Sequence, residues 1–191
     1  GRFRAAMTSR QEKRLIRLLK HRDEQAFLTV VTRYQHKVYN LVDLLLGDPH
    51  EAEDGAQEVF ITVLKNLGSF RGNSKFSTWL FRSAVNHSKN RITYLKRRAS
   101  DRTQGLDDVP ESAMVYSPFG AVLPRPDTQA MGHQLEKVMQ RALASLEPEH
   151  REIVVLRDIE NLSYQEIQEI TGLVLGTVTS RLHRARGAVK R

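Results

Sequence analysis

The chain has 191 residues, no cysteine and a formal net charge of +8 at neutral pH. Its length allows one medium domain or two small ones, and the lack of cysteine excludes disulfides, thiolate catalysis and cysteine-ligated zinc. The positive charge indicates a polyanionic partner, nucleic acid before an acidic protein or a membrane surface. The histidines show no ligand-like spacing, so neither a metal site nor a cofactor is predicted. No apolar run is long enough to span a bilayer and no signal peptide is evident, so we expect a cytoplasmic protein without membrane insertion.

The first half of the chain carries three apolar stripes at helical spacing. Residues 1–11 are set aside as an N-terminal extension or tag remnant, and residues 12–98 are predicted to fold as a helical domain. The stripes run from Phe27 to Leu45, from Ala56 to Leu67 and from Phe76 to Leu95. Apolar residues repeating every three or four positions indicate amphipathic helices, and no segment alternates as a strand would. A helical bundle is therefore expected, with Trp79, Phe76 and Phe81 in its core.

A proline-rich, acidic segment separates this domain from a second one. Residues 99–130 hold four of the six prolines and show no helical periodicity, which predicts a flexible linker. Residues 131–191 are again helical, and their first helix carries an apolar stripe that is expected to be buried, made of Leu135, Val138, Met139, Ala142, Leu143 and Leu146. Pro148 suits a first helical turn, Ser163 and Glu166 form a capping box, and Gly172 marks a helix end. The fold class is thus all-α, with two small helical domains, the second a helix-turn-helix bundle.

The last helix combines an apolar face with a basic one. Val178, Leu182, Ala185 and Val189 are expected to face the bundle. The residues left outward are Thr177, Thr179, Ser180, Arg181, His183, Arg184 and Arg186. Such a helix is able to enter a DNA major groove, with its N-terminal side chains near base edges and its arginines on guanine or phosphate. The alternative is a solvated basic helix end whose arginines only complement the helix dipole.

The segment "LSYQEIQEITGLVLGTVTSRLHRAR" resembles the promoter-reading end of bacterial RNA polymerase sigma factors, particularly the extracytoplasmic-function (ECF) group. The stretches "DEQAFLTVVTRYQHKVYNLV" and "DGAQEVFITVLKNLGSFRGNSKFSTWLFRSAVNHSKNRI" resemble the other domain of that group, in the same order and at similar spacing. The resemblance covers nearly the whole chain from about residue 12. It implies a promoter-specificity subunit that binds core RNA polymerase, recognises minus-10 and minus-35 elements and helps to melt DNA.

The resemblance also implies a role for each motif. The segment "DGAQEVF" matches the helix that docks on the clamp helices of the largest polymerase subunit, through Asp54, Gln57, Glu58 and Phe60. Without the resemblance, its polar side chains would be read as a solvated face. The segment "SFRGNSKFSTWLFRSAVN" matches the minus-10 and melting element, which would contact DNA through Phe70, Arg71, Gly72, Asn73, Ser74 and Asn86. Cations beside aromatics on a glycine-containing loop suit single-stranded DNA with an expelled base.

Two further DNA contacts follow from the same comparison. The basic run after Asn86, which includes Lys89 and Arg91, is expected to meet duplex phosphates and to make affinity salt-dependent. The minus-35 contacts map onto Thr179, Ser180, His183 and Arg184, with Thr177 and Arg181 on the same outward face. Many members carry lysine or arginine where this chain has Thr179, which cannot make a bidentate guanine contact. The resemblance further implies an anti-sigma protein that masks these surfaces.

Two other functions compete with this interpretation. A stand-alone helix-turn-helix regulator would bind duplex DNA tightly by itself, whereas a sigma factor would bind weakly until core polymerase is added. A nucleic-acid enzyme is not supported, because "RGNSK" lacks the upstream glycine and the GK[ST] ending of a phosphate-binding loop. No nucleophile elbow or carboxylate cluster is present either. We therefore predict that the chain is not an enzyme.

Overall fold

A computed structural model describes residues 7–104 and 130–189, with the side chains of 102–104 and 130–136 left out. The predicted linker lies mostly outside the described residues, as do residues 1–6. Within the described ranges the regular elements are all helical, so the all-α prediction is confirmed. They are α1 (Ser9–Lys20), α2 (Glu24–Leu46), α3 (Pro49–Lys65), α4 (Phe76–Gln104), α5 (Ala130–Ala144), α6 (Pro148–Val154), α7 (Tyr164–Thr171) and α8 (Leu175–Val189).

The helix ends of the N-terminal domain are set by local capping chemistry. Thr8 forms a capping box with Gln11 at the start of α1. Asp23 and Asp48 accept hydrogen bonds from backbone amides in the first turns of α2 and α3. Gly47 ends α2 with a φ of 72°, a left-handed conformation that glycine adopts without a Cβ clash. These caps satisfy backbone groups that a helix end otherwise leaves without partners.

The N-terminal core follows the predicted stripes, with three differences. The second apolar stripe predicted a helix that ends at Gly68. The observed α-helix ends at Lys65, and a short 3₁₀ turn, Leu67–Ser69, follows. Helix α4 continues past residue 98 to Gln104. Phe76 and Phe81 are buried as predicted, while Trp79 is half-buried and packs against the edge of the core.

The C-terminal domain contains the predicted helix-turn-helix. Pro148 lies in the first turn of α6, the Ser163–Glu166 capping box starts α7, and Gly172 ends α7 at a φ of 73°. Helix α6 runs into one π-helical turn, Val155–Ile159. Buried leucines, isoleucines and valines join α6, α7 and α8 into one core, which includes Val178, Leu182 and Ala185 of α8.

Four apolar residues of the predicted stripes are exposed. Val138 and Met139 of α5 expose 60% and 38% of their surface, Leu95 of α4 exposes 37%, and Val189 at the end of α8 exposes 45%. The reason is geometric: among the described side chains of α5 only Leu143, at its C-terminal end, is buried in the core, Leu95 lies beyond the buried turns of α4, and Val189 is the last described residue of its helix. The side chain of Leu135, in the same predicted stripe, lies outside the described residues.

The two domains pack against each other. Helix α7 lies against α4, and α6 with its π-helical turn lies against α2. Arg151 of α6 fastens this contact, because its guanidinium donates to the carbonyl of Leu45 in α2 at 3.0 Å and to the carbonyl of Leu143 in α5 at 2.8 Å. Burial lowers the pKa of Arg151. This contact places the helix-turn-helix beside the basic helix of the first domain.

Candidate nucleic-acid and partner interfaces

The loop between the 3₁₀ turn and α4 presents polar side chains to solvent. Arg71, Gly72 and Asn73 are exposed and Ser74 is half-buried. Gly72 has a φ of 76°, so a side chain at this position would be strained. The four residues predicted to read the minus-10 element are therefore next to one another on an accessible turn.

Phe70, grouped with this loop at first, faces the other way. It exposes only 5% of its surface and packs edge-to-face on Phe76, with ring centroids 5.9 Å apart. Its ring also lies 5.1 Å from that of Trp79, and Phe76 contacts Tyr34 at 6.0 Å. The aromatic side chains form the floor beneath the loop. Burial raises the pKa of the Tyr34 phenol, which suits a packed hydroxyl at the edge of this floor.

Helix α1 holds both ends of this loop, which the sequence analysis did not predict. Lys20 Nζ donates to the carbonyl of Phe70 at 2.9 Å, where the loop begins. The backbone amide of Phe76, where the loop ends, donates to Glu12 Oε1 at 2.6 Å. The partners are 50 and 64 positions apart in the chain. No periodicity or short motif could have identified them.

Arg91, one of the basic residues of α4, already has an acidic partner inside the protein. Asn86 and Lys89 are exposed and Arg91 is half-buried. Both nitrogens of one edge of the Arg91 guanidinium donate to the carboxylate of Glu51 in α3, with Nη2 at 2.7 Å from Oε1. Arg91 also lies over the ring of Tyr94, 4.9 Å from its centroid. Paired donors on one carboxylate fix the plane of the guanidinium as well as its position.

Two cations near the predicted minus-10 surface pair with the other domain. Lys89 Nζ lies 3.1 Å from Oε1 of Glu152 in α6, and Lys75 Nζ lies 3.2 Å from Oε1 of Glu166 in α7. Glu152 exposes 5% of its surface. Burial raises the pKa of its carboxyl, and the positive charges of Lys89 and Arg181 act in the opposite direction. The described arrangement thus places glutamates of the C-terminal domain against cations of the first.

Helix α3 presents part of its predicted polymerase surface. Asp54 and Glu58 are exposed, Gln57 is half-buried, and Phe60 is buried in the core. Glu58 also faces α4, because its Oε2 lies 3.4 Å from Nδ1 of His87. Asp54 and Glu58, four residues apart, share one side of the helix. Phe60 supports that surface from within rather than facing a partner.

Some basic side chains on the outward face of α8 form ion pairs within the protein, and others do not. Arg181 pairs with Glu149 at 2.9 Å, and Arg186 pairs with Asp158 through two nitrogens. His183 and Arg184 are exposed and have no ion-pair partner among the described residues. Arg184 is therefore the guanidinium of this face that is ready to meet an anion.

The hydroxyls at the start of α8 bond to their own helix. Thr179 and Ser180 are exposed, and Thr177 is half-buried. Thr179 Oγ1 donates toward the carbonyls of Leu175 and Gly176 at 3.1 Å, and Ser180 Oγ donates to the carbonyl of Thr177 at the same distance. A hydroxyl that donates to its own backbone keeps its lone pairs for an outside donor. In a major groove such donors are the amino groups of adenine and cytosine.

Comparisons with known proteins match this chain in two separate segments. Residues 30–98 match the family model for sigma-70 region 2, and residues 136–189 match the one for sigma-70, region 4. The sigma-H factor of Pseudomonas aeruginosa is 34% identical over 96% of this chain and 94% of its own length. The ECF sigma factor SigW of Bacillus subtilis is 36% identical over 94% of this chain and 95% of its own.

The fold is also similar to solved structures. CnrH in complex with the cytosolic domain of CnrY is 19% identical, with a TM-score of 0.66 over 94% of both chains. RpoE of Bartonella quintana, in complex with the anti-sigma factor NepR, is 22% identical, with a TM-score of 0.63 over 86% of this chain and 94% of its own. None of the helices in the described part of this chain has the length and apolar character that crossing a membrane requires. The two region matches and the near full-length relatives together show that the chain belongs to the ECF group of bacterial RNA polymerase sigma factors, which are transcription initiation factors and not enzymes.

Proposed function

We propose that three surfaces of this sigma factor divide the work of initiation. The polymerase clamp would dock on α3, the minus-10 element on the loop before α4 and on α4 itself, and the minus-35 element on α8. The observation that carries the proposal is the position of the accessible polar side chains. In each case they lie on the element that resembles the family's contact, above a closed apolar core.

On α3 the contact is acidic. Asp54 and Glu58 are exposed on one side of the helix, with Gln57 beside them, and they suit the basic side chains of a partner helix. Glu58 must share its charge with His87 or give up that pair when the partner docks. Because the Glu58 side chain is 65% exposed, exchanging this contact for an intermolecular one costs little, on the order of 0.5 kcal/mol.

At the minus-10 element, Arg71, Gly72, Asn73 and Ser74 would surround an unstacked base above the aromatic floor. A loop of this kind offers an exposed amide, a hydroxyl and open backbone groups, which read the hydrogen-bonding edge of a base. Unstacking a base costs a few kcal/mol, so the melted state lasts only if the loop captures what it expels. Asn86 would extend this pocket along α4.

Lys89 and Arg91 would follow the phosphates next to that base. Arg91 is held by Glu51, so it presents a fixed guanidinium edge. Lys89 reaches phosphate only when it leaves Glu152. The packed arrangement of the two domains therefore has to open, and core polymerase would hold the domains apart on promoter elements about 70 Å from each other, two helical turns of DNA.

At the minus-35 element, α8 would lie in the major groove. Arg184 and His183 are exposed and unengaged, and they follow the hydroxyls of Thr179 and Ser180 along the same face. Arg184 supplies the guanine or phosphate contact, and the hydroxyls accept from amino groups of bases. Arg181 contributes after exchanging Glu149 for DNA, and Thr177 lies where the helix enters the groove.

Two wider statements belong to the same proposal. The site of action would be the cytoplasm, where the polymerase and the chromosome are. An anti-sigma protein would hold the factor inactive by covering the polymerase and DNA surfaces. The sigma factors of known structure to which this fold is similar include one that is bound to an anti-sigma factor.

The test is transcription from a random promoter library with core polymerase and this protein. Paired motifs, about two helical turns apart, should be enriched only when both components are present. Asn73→Ala and Asn86→Ala should relax base preference in the downstream motif, whereas Arg184→Ala should weaken the upstream one. Tight, sequence-specific duplex binding by the protein alone, with no effect on transcription start sites, would instead support the stand-alone regulator.

A further inference from the structure

The loop that we propose to read the minus-10 element has a backbone group at each end that needs a hydrogen-bond partner. The amide of Phe76 is the first of α4, and the first four amides of a helix have no partner within it. The residue in the N-cap position is Lys75, whose carbonyl accepts from the amide of Trp79 at 3.2 Å. A lysine side chain has no acceptor, so it cannot cap the helix. The carboxylate of Glu12 fills this role from another helix, at 2.6 Å.

The other end of the loop is held by the opposite charge. Lys20 Nζ donates to the carbonyl of Phe70 at 2.9 Å. Glu12 and Lys20 lie eight residues apart on α1, about 12 Å along a helix. Residues 71–75 therefore span two anchors on one rigid element, and α1 is itself seated on the core by Leu15 and Leu19. Charge-assisted bonds of this kind are about twice as strong as neutral ones.

We propose that Glu12 and Lys20 are positioning residues for minus-10 recognition, which act by fixing both ends of the Arg71–Ser74 loop. The inference rests on the proposed function, because it assumes that this loop reads the base. Helix α1 precedes residue 30, where the region 2 match begins, so nothing in that match assigns it a role. A loop whose ends are fixed meets the base in one conformation. The conformational entropy of the loop is therefore lost on folding and not on binding, which favours affinity.

The test replaces each anchor with methionine, which keeps chain length and helix propensity but removes the hydrogen bond. Glu12→Met and Lys20→Met are compared with Glu12→Gln and Lys20→Arg, which keep an acceptor and a donor. Lys13→Met is the matched control, an exposed lysine of the same helix. Minus-10 preference is measured from promoter libraries with core polymerase, together with affinity for core polymerase and minus-35 preference. A second readout, independent of transcription, is the rate of tryptic cleavage after Arg71, followed by mass spectrometry.

We expect Glu12→Met and Lys20→Met to lose about tenfold in minus-10 discrimination, equivalent to about 1.4 kcal/mol, and to be cleaved faster after Arg71. Their affinity for core polymerase and their minus-35 preference should be unchanged. Lys20→Arg, which keeps the charged donor, and the control Lys13→Met should behave as the parent in every measurement. Glu12→Gln, which keeps an acceptor but loses the charge, should lose less discrimination than Glu12→Met.

Parental minus-10 preference and parental cleavage in both anchor-to-methionine variants would overturn the inference. Asn73→Ala separates failure of the proposed function from failure of the inference about α1. If this variant leaves minus-10 preference intact, the loop does not recognise the base and the proposed function fails at this surface. If Asn73→Ala relaxes that preference while Glu12→Met and Lys20→Met do not, only the role of α1 is refuted.

Discussion

The close approach of α3 to its neighbours makes Gly55 the position where adding one methyl group is most informative. A Cβ built there would lie 3.0 Å from Nε2 of His87 and 3.0 Å from Cγ1 of Val42. His87 has room to turn, at the expense of its ion pair with Glu58, but Val42 is fully buried and does not. Alanine is favoured over glycine in a helix by about 0.5–1 kcal/mol, whereas overpacking costs about 1–3 kcal/mol. Overpacking is the larger effect, so Gly55→Ala should lower the free energy of unfolding by about 1 kcal/mol.

The assay is urea and thermal unfolding followed by the fluorescence of Trp79, the one tryptophan of the chain, which reports on the N-terminal domain. A loss of this size lowers the Tm of a domain of 60–100 residues by about 4–8 °C. Gly187→Ala is the matched control, since its Cβ would meet nothing within 4 Å on α8, and circular dichroism should show an unchanged or slightly raised stability. A Gly55→Ala variant as stable as the parent, or more stable, would refute the packing argument.

Four further predictions concern the C-terminal domain and its contacts. Ser163→Ala removes half of the capping box with Glu166 and should lower the stability of this domain by about 1 kcal/mol in thermal unfolding. Burial raises the pKa of Glu152 above its ordinary value of 4.5, so its contribution to stability is greatest below pH 4.5 and is lost as the pH rises through the raised value. Glu152→Gln should flatten the fall in stability that begins as the pH rises above 4.5, and an unchanged profile would contradict the desolvation argument. Arg184→Ala should weaken minus-35 binding by about 1–3 kcal/mol if Arg184 contacts a base. If Arg184 contacts a phosphate, the slope of log affinity against log salt concentration should fall by about one. Lys89→Ala should change that slope only in the presence of polymerase.

The exposed apolar residues of α5 show where pattern reading failed. A helical stripe that includes Val138 and Met139 is indistinguishable in sequence from one that is buried, because periodicity records only which side chains share a face. Whether a second element covers that face depends on the path of the rest of the chain. Among the described side chains of α5, only Leu143 at the C-terminal end is buried in the core.

The candidate site was likewise predicted from the sequence only in part. The elements that we propose to contact DNA were predicted from residue type and order, but the exposure and pairing of each side chain were not. Phe60 and Phe70, grouped with contact residues, are buried. Arg181 is paired within its own domain, whereas Arg184 stands open. Such differences arise because tertiary packing brings partner residues close together. The local sequence around a residue does not identify those partners.

The sequence by itself determined the helical class, the division into two parts, and the helix ends at Ser163 and Gly172. Each of these depends on interactions within one or two turns of the chain, where spacing and residue type are sufficient. Only the tertiary structure decided that Glu12 and Lys20 hold the two ends of the Arg71–Ser74 loop and that Lys89 faces a glutamate of the other domain. These contacts join residues 50 or more positions apart, and their geometry exists only after the helices have packed.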